Sequence, residues 1–259
     1  MTKNNLSMLK LKSKLKLNAK PKVKSKAKPK LMQGIHVTAK LGLGVGMVTL
    51  LMACSSSKTP NFYSLTPTLS PAVKSNKVRM IEVLPVGLAD RLNRIPLVIQ
   101  NPNGQSKVLH DDRWTSTMAA ELRDGLSAGL QQQLGAVDRY NSGMTGGQAA
   151  YRIAADFSHF DFVERAANQR EVVVAAAWTI KFDDPNRPLS NPKNAQTIPP
   201  SNQLSCRYAF NQTVPKGQSL NDIVKTSRDS LAQVVQAVTQ SVLHLENKTV
   251  LSIAGLSCN

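Results

Sequence analysis

The sequence predicts a single α/β or α+β domain, in which a mixed sheet of about five or six strands is covered by two amphipathic helices. Several runs alternate apolar and polar residues and are rich in branched side chains, as half-buried strands are. Two longer segments repeat their apolar residues every three or four positions, which is the helical period. Each kind of segment has one apolar face, and packing these faces together gives a layered domain.

Alternation predicts five strands. The runs are Val78–Val86, Ile95–Gln100, Tyr151–Val163, Glu171–Phe182 and Leu204–Val214. The third and fourth runs flank a polar turn, so we expect them to form an antiparallel pair. Ahead of all five runs, Phe62–Pro71 is punctuated by prolines and is expected to be extended.

Periodicity and end signals predict the two helices. The apolar residues of the first recur every four positions, at Trp114, Met118, Leu122, Leu126, Leu130 and Leu134. We expect Asp111 or Asp112 to be its N-cap and Gly135 its C-cap. The second helix closes the domain, and Ser219 with Asp222 begins it as a variant capping box.

The net charge of +17 suggests at first a protein that binds nucleic acid. Twelve of the 33 basic residues and none of the 16 acidic residues, however, lie in residues 1–53. The remaining 206 residues carry 21 basic and 16 acidic side chains, a net charge of +5 that is ordinary for a globular domain. We therefore expect no nucleic-acid partner.

A lipoprotein signal is the most specific motif in the chain. Leu41–Ala53 is apolar and too short to cross roughly 30 Å of hydrocarbon, but it has the length of a signal-peptide core. It leads into Leu51, Met52, Ala53 and Cys54, which resembles a lipobox, although Met52 is bulkier than usual. We expect cleavage between Ala53 and Cys54, and a membrane anchor formed by acylation of the Cys54 thiol. The alternatives are an uncleaved anchor helix and a secreted protein with an incidental cysteine.

These signals divide the chain into three parts. Residues 1–53 are a basic leader and signal peptide that cleavage removes, 54–75 are the lipidated N-terminus and tether, and 76–259 are a periplasmic domain. Translation starts at either Met1 or Met32. Asp directly after the acylated cysteine favours retention in the inner membrane. Because Ser55 stands there instead, we expect the periplasmic face of the outer membrane.

Acylation of Cys54 leaves Cys206 and Cys258 as an even pair in an oxidising compartment. We expect a disulfide between them, and two free thiols too far apart to pair are the alternative. The histidines are scattered along the chain, at His36, His110, His159 and His244. We therefore expect neither a metal nor another cofactor.

The sequence does not predict an enzyme. It lacks the HExxH motif and the glycine motifs of nucleotide-binding proteins, and its GxSxG run at 125–129 lies within the first predicted helix rather than at the strand-to-helix turn of a nucleophile elbow. Paired carboxylates at 111–112 and 183–184 are expected to cap helices or form turns. Both tryptophans are expected to pack in the core.

The order and spacing of several segments resemble the PqiC/YmbA family of ABC-type transport auxiliary lipoproteins. The segments are FYSLTP (62–67), IEVLPVGLADRLNR (81–94), DDRWTSTMAAELRDGLSAGL (111–130), YRIAADFSHFDF (151–162), EVVVAAAWTI (171–180) and CRYAFNQTVP (206–215). The similarity covers nearly the whole mature chain. One departure follows Leu88, where the family commonly shows Asp-Arg-Pro: here Asp90 and Arg91 are separated from Pro96 by four residues.

The resemblance implies a non-catalytic accessory subunit. Members of the family are outer-membrane lipoproteins that partner MCE-domain proteins, in systems that move lipids and support envelope integrity. A second copy of the same chain is a further partner that the resemblance allows. The rival hypothesis is a periplasmic lipoprotein that itself binds an apolar or lipid ligand in a cavity beneath the helices. An enclosed cavity of several hundred Å3 would favour the rival, and a flat apolar patch would favour docking.

Replacing Cys54 by alanine should block lipid attachment, because the thiol is the group that is acylated. We expect the precursor to stay uncleaved and the acylated mature form to be absent from membranes. Mass spectrometry of the N-terminal peptide tests this, with Cys258→Ala as a control that should leave processing unchanged. An unmodified Cys54 at the mature N-terminus of the unsubstituted protein would contradict the prediction.

Overall fold

Ten strands and two helices follow one another in the part of the chain that the computed structural model describes, which comprises residues 58–68, 78–140, 147–165, 169–186, 202–215 and 219–259. In chain order they are β1 Asn61–Tyr63, β2 Arg79–Val83, β3 Gly87–Leu88, β4 Pro96–Gln100, β5 Ser106–Trp114, α1 Met118–Leu134, β6 Ala136–Asp138, β7 Ala150–Glu164, β8 Arg170–Asp183, β9 Gln203–Thr213, α2 Leu220–Asn247 and β10 Leu256–Cys258. The predicted α/β class with two helices is confirmed. The sheet has more strands than the sequence predicts.

The strands form one mixed sheet organised around β7. On one side, β7, β8, β9 and β10 pair in antiparallel fashion in that order. On the other side, β2, β3 and β4 pair with β7 in parallel. β4 continues the sheet to β5 and then to β1, while β6 lies beside β2. The predicted antiparallel pairing of the two long central runs is confirmed.

The first helix begins later than the sequence predicts. Asp111, Asp112 and Trp114 belong to β5, and the N-cap of α1 is Thr117. Pairing explains the difference, because β5 lies between β4 and β1, with Asp112 opposite Asn61. Trp114 is the last residue of the strand, and its side chain points into the core, so it is buried even though it is not in the helix. The N-cap prediction was therefore wrong, although the predicted burial of Trp114 was right.

The other predicted helix ends are confirmed. Gly135 ends α1 in the left-handed conformation at φ 57°, and its N–H donates to the carbonyl of Gln131. At the start of α2, the Ser219 hydroxyl accepts from the Asp222 N–H, and the Asp222 carboxylate accepts from the Ser219 N–H. Among the described residues, neither helix is both long and apolar enough to cross a membrane.

The core lies between one face of the sheet and the two helices. Its largest fully buried side chains are Phe157, Phe160, Leu65, Ile81, Leu97, Leu122, Leu126, Leu130, Ile153, Ile180, Ile223 and Leu231. Along β7 and β8 buried and exposed residues alternate, as expected for a sheet covered on one side. The opposite face carries exposed residues that include Arg152, Ala154, Asp156, Ala177, Arg207 and Ala209.

Two glycines on α1 allow the helices to approach closely. A Cβ on Gly125 would lie 2.5 Å from Cδ2 of Leu231, and a Cβ on Gly129 would lie 2.8 Å from both γ carbons of Val235. Glycine within a helix is less favourable than alanine by about 1 kcal/mol. Close packing of α1 on α2 accounts for glycine at both positions.

Substituting alanine for Gly129 should destabilise the domain, even though alanine is the better helix former. The β-branched side chain of Val235 cannot easily rotate away from the added methyl group. We expect overpacking of about 1–3 kcal/mol, measured by urea unfolding, to exceed the gain in helix propensity. In a Val235→Ala background the same substitution should become neutral or stabilising. A stabilising Gly129→Ala in the unsubstituted chain would contradict the close approach.

Candidate functional site

The predicted cleavage and lipidation residues, Ala53 and Cys54, lie outside the described residues. The described chain begins four residues after Cys54, at Lys58. Residues 58–68, which we call the anchor segment, therefore connect the predicted lipid attachment to the domain. How this segment is held decides how an anchor would act on the fold.

The anchor segment begins as a strand at the edge of the sheet. In β1, Asn61 lies opposite Asp112 and Tyr63 lies opposite Trp114. The Asp112 carboxylate accepts hydrogen bonds from Nδ2 of Asn61 at 2.9 Å and from the Tyr63 hydroxyl at 3.3 Å. The Thr115 N–H donates to the Tyr63 carbonyl at 2.9 Å. Asp112, predicted as a helix cap, instead holds the segment to β5.

Glu121, in the first turn of α1, holds the next part of the segment. The residue is 3% exposed. Its Oε2 accepts hydrogen bonds from the Leu65 N–H and the Ser64 hydroxyl, both at 2.9 Å. Its Oε1 accepts from the Ser116 N–H at 3.0 Å, from the Ser116 hydroxyl at 2.9 Å and from the Thr115 hydroxyl. One carboxylate thus joins the anchor segment to the start of α1.

The environment of Glu121 favours its charged form. Burial by itself would raise the pKa of this carboxyl, since it disfavours a charge. The hydrogen bonds from Thr115, Leu65, Ser116 and Ser64 outweigh burial, so the pKa is lowered. The positive end of the α1 dipole also favours a negative charge in the first turn. The fold is therefore built around ionised Glu121.

Beyond Glu121 the anchor segment lies across both helices. Leu65 is 1% exposed, and its carbonyl oxygen lies 3.3 Å from the position that a Cβ on Gly125 would take. Nε of Arg228 on α2 donates to the Ser64 carbonyl at 2.7 Å. Nε2 of Gln132 on α1 donates to the Thr68 carbonyl at 3.2 Å. The segment is therefore bonded to the sheet, to α1 and to α2.

The structure joins Cys206 to Cys258, the pair that the cysteine count singles out, with an S–S distance of 2.08 Å. The two residues lie directly opposite each other in β9 and β10. Ser205 and Asn259 exchange two backbone hydrogen bonds of 3.1 and 3.0 Å beside the disulfide. The C-terminal strand is thereby fixed to the sheet edge opposite β1.

The polar side chains around Asp161 hold parts of the fold together. This carboxylate is 3% exposed and accepts hydrogen bonds from Gln100 at 2.6 Å and Arg91 at 3.2 Å, while Nδ1 of His159 lies 2.8 Å away. Arg91 lies in the loop after β3, and its bonds to Ser158 and Asp161 join that loop to β7. His110, His159 and His244 lie on three different elements. The described residues contain no group of three or more metal-binding side chains.

A cleft of about 820 Å3 opens at the C-terminal end of α2. Tyr151 and Phe182 form part of its lining, with ring centroids 4.8 Å apart. The pKa of Tyr151 is raised, chiefly because the side chain is buried and also because the negative charge of Glu246 is close. Arg79 donates to Glu246 at 2.8 and 3.1 Å and to the carbonyl of Leu134 at 2.9 Å. These hydrogen bonds of Arg79 join the C-terminal ends of the two helices. The cleft lies beside them and is open to solvent. The space beneath the helices, where the rival hypothesis needs a cavity, holds the buried core side chains instead.

Sequence reasoning missed Glu121, because its partners on the anchor segment lie 56 and 57 residues away. A signal was nevertheless present. Glu121, Gly125 and Gly129 are spaced four residues apart and therefore lie on one face of the helix. Two glycines in line with an acid on a predicted helix indicate a stripe that another segment approaches closely.

Comparison with known proteins gives a matching family model and several similar solved structures. The family model described as ABC-type transport auxiliary lipoprotein component matches residues 63–239. A crystal structure of an uncharacterized protein is 18% identical, with a TM-score of 0.50, over 71% of this chain and 99% of that chain. A crystal structure of a Xanthomonas campestris protein of the DUF330 family is 14% identical, with a TM-score of 0.48, over 72% of this chain and 95% of that chain. No curated protein matches the chain.

Replacing Glu121 by glutamine should destabilise the domain at pH 7, because a charged acceptor of buried hydrogen bonds is lost. We expect a loss of about 1.5–3 kcal/mol in urea unfolding, together with faster hydrogen exchange at the Leu65 N–H. The pKa of Glu121 is lowered in the folded state, so its contribution is present above 4.5, the pKa of an unperturbed glutamate, and is lost as the pH falls further. The two proteins should therefore converge in stability below that pH.

Asp124→Asn is the matched control, since that carboxylate lies on the same helix with 57% of its side chain exposed. It should change stability little at any pH. A difference between Glu121→Gln and the unsubstituted chain that stays constant from pH 7 to well below pH 4.5 would contradict the role assigned to the ionised carboxylate.

Proposed function

The chain belongs to the family of ABC-type transport auxiliary lipoproteins, and on this basis we propose that it is a non-catalytic subunit of an ABC/MCE-type trans-envelope lipid transport system. Family membership makes it a transport-associated lipoprotein of the cell envelope. Our proposal adds the outer membrane as its location, an MCE-domain protein as its partner and envelope integrity as its role. The observation that carries it is the family match beginning at Tyr63, nine residues after the lipobox cysteine.

In this proposal residues 1–53 are removed, and residues 54–75 carry the lipid and link it to the periplasmic domain of residues 76–259, against which residues 58–68 pack. The lipobox supports acylation of Cys54, and Ser55 supports the outer membrane. Asn61, the first residue bonded to β5, follows Cys54 by seven residues. Seven residues span at most about 25 Å. The lipid therefore holds the sheet edge close to the membrane surface.

The contacts of the anchor segment support a role in which attachment matters. A pull on Cys54 reaches β5 through Asp112, α1 through Glu121 and α2 through Arg228. A loosely hanging domain would need none of these bonds. In the proposed subunit, this segment is the connection between the membrane and the domain that meets the transport assembly.

The arrangement of buried charges supports the absence of catalysis. Asp138, like Glu121 and Asp161, is engaged by neighbouring side chains: it accepts hydrogen bonds from Arg123 at 2.8 Å and from Ser127 at 2.6 Å. Such contacts fix β6 and α1 in place. These carboxylates hold elements of the fold together, which agrees with the non-catalytic role that we propose.

Replacing Ser55 by aspartate should abolish function without unfolding the protein. The domain would stay intact but be retained in the inner membrane, where it could not link the transport assembly to the outer one. Complementation of a deletion strain, scored by sensitivity to detergent, measures function, and membrane fractionation with immunoblotting measures location and amount. Ser57→Asp adds the same charge two residues later and should retain function.

Two exposed polar residues provide a second control. His110→Ala and Asp183→Ala should complement fully, because both side chains are exposed and surface substitutions usually change stability by less than about 0.5 kcal/mol. An abundant, correctly located variant of either residue that fails to complement would indicate an active site. A Ser55→Asp protein that fractionates with the inner membrane and still complements would rule out the proposed outer-membrane role.

A further inference from the structure

Phe62, the central residue of β1, is a large apolar side chain that is exposed to solvent. It is 58% exposed. Asn61 and Tyr63 both donate to Asp112, and Tyr63 also packs against the core. Because successive side chains of a strand point to opposite faces, Phe62 projects away from these contacts. Isolated exposed apolar residues are common, so the place of Phe62 relative to the anchor is what makes it informative.

Phe62 lies close to the predicted lipid along the chain. It follows Cys54 by eight residues, which span at most about 29 Å. The hydrogen bonds of Asn61 and Tyr63 fix the end of this span, so no additional chain can be released without breaking β1. An acylated Cys54 sits at the membrane surface. Every orientation of the domain therefore keeps Phe62 within about 29 Å of that surface.

Two basic residues lie near Phe62, one along the chain and one in the strand register. Lys58 lies between Cys54 and Phe62 and is exposed. Arg113 is the register partner of Phe62 in the parallel β1–β5 pair, and partners in such a pair project from the same face. An aromatic ring flanked by basic side chains suits the bilayer interface, where rings lie at headgroup level and cations meet phosphate groups.

We propose that Phe62 inserts into the interface of the bilayer that holds the lipid anchor, an inference that rests on the proposed acylation of Cys54. Lipid and ring then form a two-point attachment, which fixes the side of the domain that faces the membrane. From β1, α1 extends for 17 residues, about 25 Å, towards the ion pair of Arg79 and Glu246. That far end, with Val250 88% exposed, points into the periplasm.

Tryptophan fluorescence on vesicles tests the insertion. The mature chain 54–259, which contains every described residue, has Cys54 as its free thiol once Cys206 and Cys258 are bonded. Coupling Cys54 to a maleimide lipid in phosphatidylcholine vesicles reproduces the anchor without cellular acylation. In Phe62→Trp, emission of the added tryptophan should shift to the blue and be quenched by phosphatidylcholine with brominated chains. Trp114 and Trp178 are each 2% exposed and should contribute a constant background.

Val250→Trp is the matched control, because it places an exposed tryptophan at the far end of the helices. It should show neither shift nor quenching. Equal quenching of the two variants, or none in Phe62→Trp, would overturn the proposal. Because coupling is chemical, a failure of acylation in cells would refute the proposed function and leave this experiment unaffected.

A second measurement needs no added tryptophan. A single acyl chain holds a protein on a membrane only marginally, so an additional contact should change the rate of dissociation. Coupled to a single-chain maleimide lipid, Phe62→Ala should leave vesicles several-fold faster than the unsubstituted chain, and Val250→Ala should not. Equal dissociation rates for all three proteins would overturn the proposal, because the ring would then add nothing to the lipid.

Discussion

Glu121 places a negative charge in the first turn of α1, where 3% of the residue is exposed. Removing a carboxylate from water is unfavourable by several kcal/mol unless hydrogen bonds replace the lost solvation. The Leu65 N–H and the Ser64 hydroxyl supply two of these bonds, and both belong to the anchor segment. Without the segment, the carboxylate would lose these two donors. The start of α1 and the anchor segment therefore depend on each other.

The same dependence extends to the packing of the helices. Gly125 and Gly129 continue the stripe that begins at Glu121, and the absent side chains leave room for Leu65, Leu231 and Val235. A bulkier α1 would separate the two helices and displace the segment that lies across them. The segment is thus part of the folded unit, and the proposed membrane attachment at Cys54 would act on the core through these contacts.

The elements that the sequence predicts are those determined by local physics. The long alternating runs of β7 and β8 and the capping box at Ser219 depend on neighbours a few residues apart. By contrast, β5 runs through Lys107, His110 and Asp112 without regular alternation, and its pairing with β1 joins residues about fifty positions apart. β1 and β10 have three residues each, too few to show a period. Pairing between distant segments decides these elements, and a local pattern cannot reveal it.

The residues of the candidate site also fall into two groups, those that the sequence indicates and those that only the fold brings together. A lipobox is a contiguous motif, and counting three cysteines is enough to single out Cys206 and Cys258. The partners of Glu121 come together only in the folded chain, so composition and spacing could at most indicate a crowded helix face.

The parallel pairing of β1 with β5 has a mechanical consequence. When tension at the N-terminus acts along β1, the hydrogen bonds along the strand are sheared together and share the load. When the tension acts across the strand, they are peeled apart one after another, and each bond bears the load alone. The resistance of β1 to detachment therefore depends on direction, and it is greatest when the proposed anchor pulls along the axis of the strand.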